Sequence, residues 1–212
     1  MADGSLVSNE LRNSLRARVE PFARGLGRVG LTPNSVTVIG FLIAALGGVM
    51  AGLQWWLAAG LVATLGSAFD MLDGALARAT GTTSKLGAFL DSTFDRWGEA
   101  AVYVGVAAGG FFAGEKVTAI LSGLAMSSAF MVSYTRAKAE SLGFRAEMGI
   151  APRPERVIIM GIGLVACGLA GGPQGSPWLQ AALGILFVIS SITVVQRILA
   201  VRAQSRDTEV RG

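Results

Sequence analysis

Long apolar blocks separated by short polar breaks dominate this chain. Reading along it, the candidate spans are roughly residues 34–53, 56–78, 86–113, 117–139, 156–172 and 178–200. A bilayer-crossing helix needs about 20 mainly apolar residues, so each block reads as one crossing. Gly52-Leu53-Gln54 with Trp55 and Trp56 marks a boundary whose aromatic rings suit headgroup depth. Polar turns follow at Thr80–Lys85, Gly114–Lys116 and Gly171–Pro177. Ahead of the first span, Leu11, Leu15, Val19, Phe22 and Leu26 recur at spacings of three or four among five arginines. That pattern predicts an amphipathic helix over about 6–28, lying on a membrane surface, rather than a cleaved leader, since it has no continuous apolar stretch. The expected fold class is an all-α integral membrane protein. It has six transmembrane helices plus the N-terminal surface helix, with residues 1–212 forming one domain.

Composition agrees with the pattern. Of 212 residues, 52% are hydrophobic and 15% charged, with a mean hydropathy of +0.56, whereas a soluble domain carries about 25% charged residues. Histidine is absent and the single cysteine, Cys167, sits in an apolar run, so zinc sites, histidine-assisted nucleophiles and disulfides are not expected. Chemistry must fall to carboxylates, arginines, lysines or hydroxyls. With the surface helix cytoplasmic and six spans, only Lys116 among 18 lysines and arginines falls outside. The positive-inside rule therefore predicts a multi-pass plasma-membrane protein with both termini and the site below facing the cytoplasm. Its basic charge reads as topology and not as nucleic-acid binding.

Four aspartates interrupt the apolar pattern. Asp70 and Asp73 are three apart near the end of the second span, and Asp91 and Asp95 are four apart near the start of the third. Those spacings put each pair on one helix face, and the short link makes the two helices antiparallel neighbours. A charged residue within the bilayer costs about 2.5–3.5 kcal/mol even on insertion scales, so a cation must accompany the cluster. Mg²⁺ suits oxygen donors and shares them with substrate phosphates, and two ions would suit displacement at phosphorus, with Mn²⁺ an alternative. Gly74 and Gly87 leave room for a bulky ligand, and Arg78 offers a fork for phosphate. Carboxylates in membranes also serve ion pathways, so a carboxylate-based transporter is the competing class, but no polar path crosses the remaining halves of the spans.

Residues 70–95 read DMLDGALARATGTTSKLGAFLDSTFD, matching D-x2-D-G-x2-A-R-x8-G-x3-D-x3-D at every fixed position. In this the chain resembles the CDP-alcohol phosphatidyltransferase family, and the likeness extends to LTPNSVTVIG at 31–40. The resemblance implies that Asp70, Asp73 and Asp91 hold one metal and Asp70, Asp91 and Asp95 a second. It implies that Asp95 is also the general base, and that Gly74, Arg78 and Ser84 contact the CDP-lipid, with Asn34, Ser35, Val36 and Thr37 another wall of that site. Two substrates are implied, CDP-diacylglycerol and an alcohol, and so is a homodimer. Gly105, Gly109 and Gly110 fit close helix packing, whether within the chain or between copies.

The acceptor is read from residues 133–158, SYTRAKAESLGFRAEMGIAPRPERVI, where five basic residues collect and Pro152 and Pro154 stiffen the entry to the fifth span. Such a cluster suits a phosphorylated alcohol. The segment is similar to the phosphatidylinositol phosphate synthase branch of the family, which implies inositol 1-phosphate as acceptor and Arg136, Lys138 and Arg153 as its phosphate contacts. That branch has lysine then arginine at the first two positions, and this chain has the reverse. Glycerol 3-phosphate, giving phosphatidylglycerol phosphate, is the nearest alternative.

Overall fold

The computed structural model describes residues 25, 27–28, 30–172 and 177–211, with backbone alone at 70–71 and 207–211. The expected surface helix over 6–28 lies almost wholly outside the described residues. Among the described residues there are six long helices: α1 (Pro33–Gly52), α2 (Trp56–Thr80), α3 (Lys85–Phe112), α4 (Lys116–Ser141), α5 (Arg153–Leu169) and α6 (Pro177–Arg211). Their boundaries follow the six apolar blocks closely, except that α6 continues well beyond residue 200. No strand occurs among the described residues.

Four of the helices, α1, α2, α4 and α6, are long and apolar enough to cross a membrane. The other two fall short for physical reasons. The helix α3 carries Asp91, Asp95, Arg96 and Glu99 between its start and its middle turn, and α5 has only 17 residues. The fold is thus all-helical and suited to multiple membrane passes.

The helices pack through small residues and turn their large ones outward. On α1, Ala44, Gly47, Gly48 and Ala51 are buried, while Leu42, Leu46 and Val49 are exposed. That inversion suits a lipid solvent, where large side chains gain nothing by hiding from apolar surroundings and small ones let backbones approach. Around α1 lie α2 and α3. A side-chain carbon on Gly66 of α2 would come within 2.6 Å of the Ala44 nitrogen, and one on Gly105 of α3 would run into the Gly48 carbonyl. Gly109 likewise faces Ala51 and Trp56, and Gly110 faces Thr118. All three glycines of that α3 stripe are therefore used within the chain. Trp56, the first residue of α2, is buried in the core beside Ala59 and Val106, whereas its neighbour Trp55 is exposed. The second half of the bundle pairs α4 with α6 and α5 with both α2 and α6.

Candidate active site

Two helix caps build the site's frame. Thr32 caps α1 by accepting a hydrogen bond from the Ser35 amide at 3.2 Å, with Pro33 at the first helical position, where its missing N–H is harmless. Ser84 caps α3 in the same way, accepting from the Gly87 amide at 2.9 Å. Between the two, α2 ends at Gly81, whose left-handed φ of +66° closes the helix, with the Thr82 amide bonding back to the Ala77 carbonyl at 3.0 Å. The start of α1, the end of α2 and the start of α3 therefore converge. They enclose a cavity of about 400 Å³ lined by Asn34, Thr37, Asp73, Gly74, Arg78, Ser84, Gly87 and Asp91, among others.

This one cavity collects most of the residues singled out from the sequence. Arg78 is exposed at its rim, and a side chain added at Gly74 would crowd the Arg78 guanidinium at 3.3 Å. Ser35 and Val36 do not line it. Ser35 shares a hydrogen bond with the Thr32 hydroxyl at 2.7 Å, and Val36 is buried against Ala75 and Leu76. Thr37 is buried and donates its hydroxyl proton to Asp73 Oδ2 at 2.6 Å, while also lining the cavity. The Asp73 and Asp91 carboxylates meet within hydrogen-bond reach of each other across the α2–α3 gap. Asp95, one turn further along α3, is buried and paired with Arg153 Nη1 at 2.7 Å, with Arg96 beside it at 3.9 Å. The side chain of Asp70 lies outside the described residues, although its backbone stands one turn before Asp73 on α2.

The sequence pattern of the CDP-alcohol phosphatidyltransferases matches residues 30–199, a stretch that contains this whole arrangement. The chain belongs to that family. Among relatives of this phosphatidyltransferase, an archaetidylinositol phosphate synthase of Pyrococcus horikoshii is 37% identical over 90% of this chain and 94% of its own. A phosphatidylinositol phosphate synthase of Mycobacteroides abscessus is 39% identical over 90% of this chain and 86% of its own. The phosphatidylinositol phosphate synthase of Mycobacterium tuberculosis has been solved with CDP-DAG bound. That structure superposes with a TM-score of 0.79 at 36% identity, over 86% of this chain and 92% of that one. A second structure of the same protein, in complex with manganese and citrate, also gives 0.79 at 35% identity, over 86% and 88% of the two chains.

The phosphatidyltransferase's donor set fits a hard divalent cation. Among the described residues no three acidic side chains form a metal cluster. Yet Asp73 and Asp91 bring two carboxylates together, an arrangement of like charges that a shared cation relieves and that offers oxygen donors only.

The basic residues divide. Arg153 reaches the aspartates, whereas Arg136 pairs with Glu140 at 2.8 Å and lines a separate groove between α3 and α4. Lys138 is exposed on the same helix. Two residues without a motif to flag them join the site's surroundings. Glu99 takes Arg156 in a two-point ion pair, both bonds 2.9 Å long. Arg197 on α6 is 4% exposed and donates from Nε to the Met148 carbonyl at 2.9 Å and from Nη1 to the Val132 carbonyl, with Arg136 and Arg156 within electrostatic range. An arginine inside the last apolar block was the only sign of it in the sequence.

Proposed function

We propose that this enzyme transfers a phosphatidyl group from CDP-diacylglycerol to a hydroxyl of inositol 1-phosphate, releasing CMP and phosphatidylinositol phosphate. The observation that carries this reading is the Arg153–Asp95 pair. It stands a guanidinium suited to a phosphomonoester beside a carboxylate suited to take a hydroxyl proton, one turn from the cavity that would hold the donor. The names of the relatives support the same acceptor. In this reading Asn34, Gly74, Arg78 and Ser84 bind the cytidine diphosphate, with Ser35 and Val36 supporting that wall from the α1 cap and core.

Arg153, with Arg136 and Lys138 further out, binds the acceptor's phosphate and orients its hydroxyl toward the donor. Asp95 accepts the hydroxyl proton as the oxygen attacks the phosphorus of the phosphatidyl group. A phosphorus–oxygen bond forms there while the bond to the CMP phosphate breaks, and CMP leaves with that electron pair. Divalent cations, two Mg²⁺ ions or Mn²⁺ in their place, held by Asp70, Asp73, Asp91 and Asp95 would neutralise the diphosphate and the charge developing on CMP. Arg78 at the rim would share that charge.

The same proposal includes six spans, with α3 and α5 crossing as well, one domain over residues 1–212, and a surface helix over 6–28. The site and both termini face the cytoplasm, where CDP-lipid and sugar phosphate are accessible. The homodimer belongs to it as well, although the glycine stripe of α3 no longer argues for one.

The test is an acceptor screen. Purified enzyme with CDP-diacylglycerol and Mg²⁺ is offered inositol 1-phosphate, inositol, glycerol 3-phosphate or serine, and CMP is measured. Release with inositol 1-phosphate, abolished by EDTA, is the expected result. Release with glycerol 3-phosphate alone would overturn the acceptor.

A further inference from the structure

The ion pair between Glu99 and Arg156 has no part in the chemistry just described, yet it is the most enclosed pair of charges in the protein's described portion. Its side chains are 8% and 2% exposed. Arg156 Nε donates to Glu99 Oε1 and Nη2 to Glu99 Oε2, so both carboxylate oxygens are engaged in the planar fork that arginine favours. The third donor, Nη1, goes to the Ala151 carbonyl at 3.0 Å. Ala151 is held from the other side as well, its amide donating to Thr193 Oγ1 of α6 at 3.1 Å.

The position of this pair gives it a use. Glu99 lies four residues after Asp95 on α3, and Arg156 three after Arg153 on α5, so each couple shares one face of its helix. Arg153–Asp95 and Arg156–Glu99 are thus two rungs of one ladder between the same two helices. These helices are not packed along their length: α3 lies against α1 and α4, and α5 against α2 and α6. Side chains span the gap that backbones leave open. The lower rung grips the carbonyl two residues before Arg153 and the helix that carries Asp95, and so fixes the height and rotation of α5's first turn.

We infer that Glu99 and Arg156 are positioning residues for the acceptor: their buried pair sets where Arg153 stands over Asp95, and with it the acceptor's binding but not the donor's. The inference rests on the reading of Arg153 as the acceptor's phosphate contact. A pair serving only to hold the bundle together would disturb both substrates alike.

A double-mutant cycle separates these. Acceptor and CDP-diacylglycerol KM values are measured for the wild type, Glu99→Gln, Arg153→Ala and the combination. Glu99→Gln is expected to raise the acceptor KM by about tenfold and leave the donor KM within about twofold. On the Arg153→Ala background the same change should raise the acceptor KM by less than about twofold, because the residue it acts through is gone. Additive effects, or equal rises in both KM values, would overturn the inference. Because Glu99→Gln leaves Arg156 buried with half its partner, it can unfold the protein. Glu99→Leu/Arg156→Met removes both charges together, which buried pairs often tolerate, and enters the same cycle. A wild type that uses glycerol 3-phosphate but not inositol phosphate would remove the proposed acceptor and leave the ladder testable with that phosphomonoester. A wild type that uses no phosphorylated acceptor would remove both.

Discussion

At the scale of single residues, Thr37 has a task that its place in the sequence did not suggest. It is expected as a wall of a CDP-lipid site; it lines the cavity between α1, α2 and α3, and its hydroxyl is committed to Asp73 at 2.6 Å. A buried carboxylate held by a short bond has its orientation fixed, and partners of this kind shape metal affinity about 10–100-fold. Thr37→Val keeps the shape and removes the donor. It should raise the Mg²⁺ concentration for half-maximal CMP release by about tenfold, read from a metal titration of activity. An unchanged titration would mean that Asp73 needs no such support. The aspartates, Gly74 and Arg78 could be read from the motif because all lie within 26 residues on two adjacent helices. Glu99 and Arg197 could not, since each acts on a partner dozens of positions away, across helices whose arrangement no local spacing encodes.

Among the elements, the apolar blocks marked where helices begin and end better than which of them are apolar enough to cross a membrane. The bounds of α1 and α4 fall within a few residues of their apolar blocks. In α3 the charges of Asp91, Asp95, Arg96 and Glu99 depress hydropathy, and α5 has only 17 residues. The continuation of α6 to Arg211 was hidden because a polar, basic run reads as a tail unless the helix it extends is known. What holds these elements at their distances is the set of small residues between them. Gly105 of α3 lies directly on the Gly48 backbone of α1. Gly105→Ala should therefore force the two helices apart, destabilising by about 1–3 kcal/mol and lowering the melting temperature in detergent by about 3–10 °C. The same substitution at Gly123, where an added carbon meets nothing within 4 Å, is the control.

For the molecule as a whole, orientation decides which side of the membrane supplies the alcohol. The prediction follows from charge: the α3–α4 link at Lys116 should face outward and the α4–α5 loop inward. In a Cys167→Ala background, Lys116→Cys should react with a membrane-impermeant maleimide on intact cells, and Arg145→Cys only after permeabilisation. The opposite pattern would put the cavity on the outer face. On either side, the cavity depends on the turn that joins α2 to α3. Gly81 closes one helix and Ser84 opens the next, which leaves Thr82 and Thr83 as the whole of the link. Such a joint has no slack. One residue inserted between Ser84 and Asp91 would carry both aspartates of α3 about 100° around its axis, away from Asp73. The motif's interval is in that sense a gear ratio: side chains within it can change their chemistry, but adding or removing one tooth takes the carboxylates out of mesh.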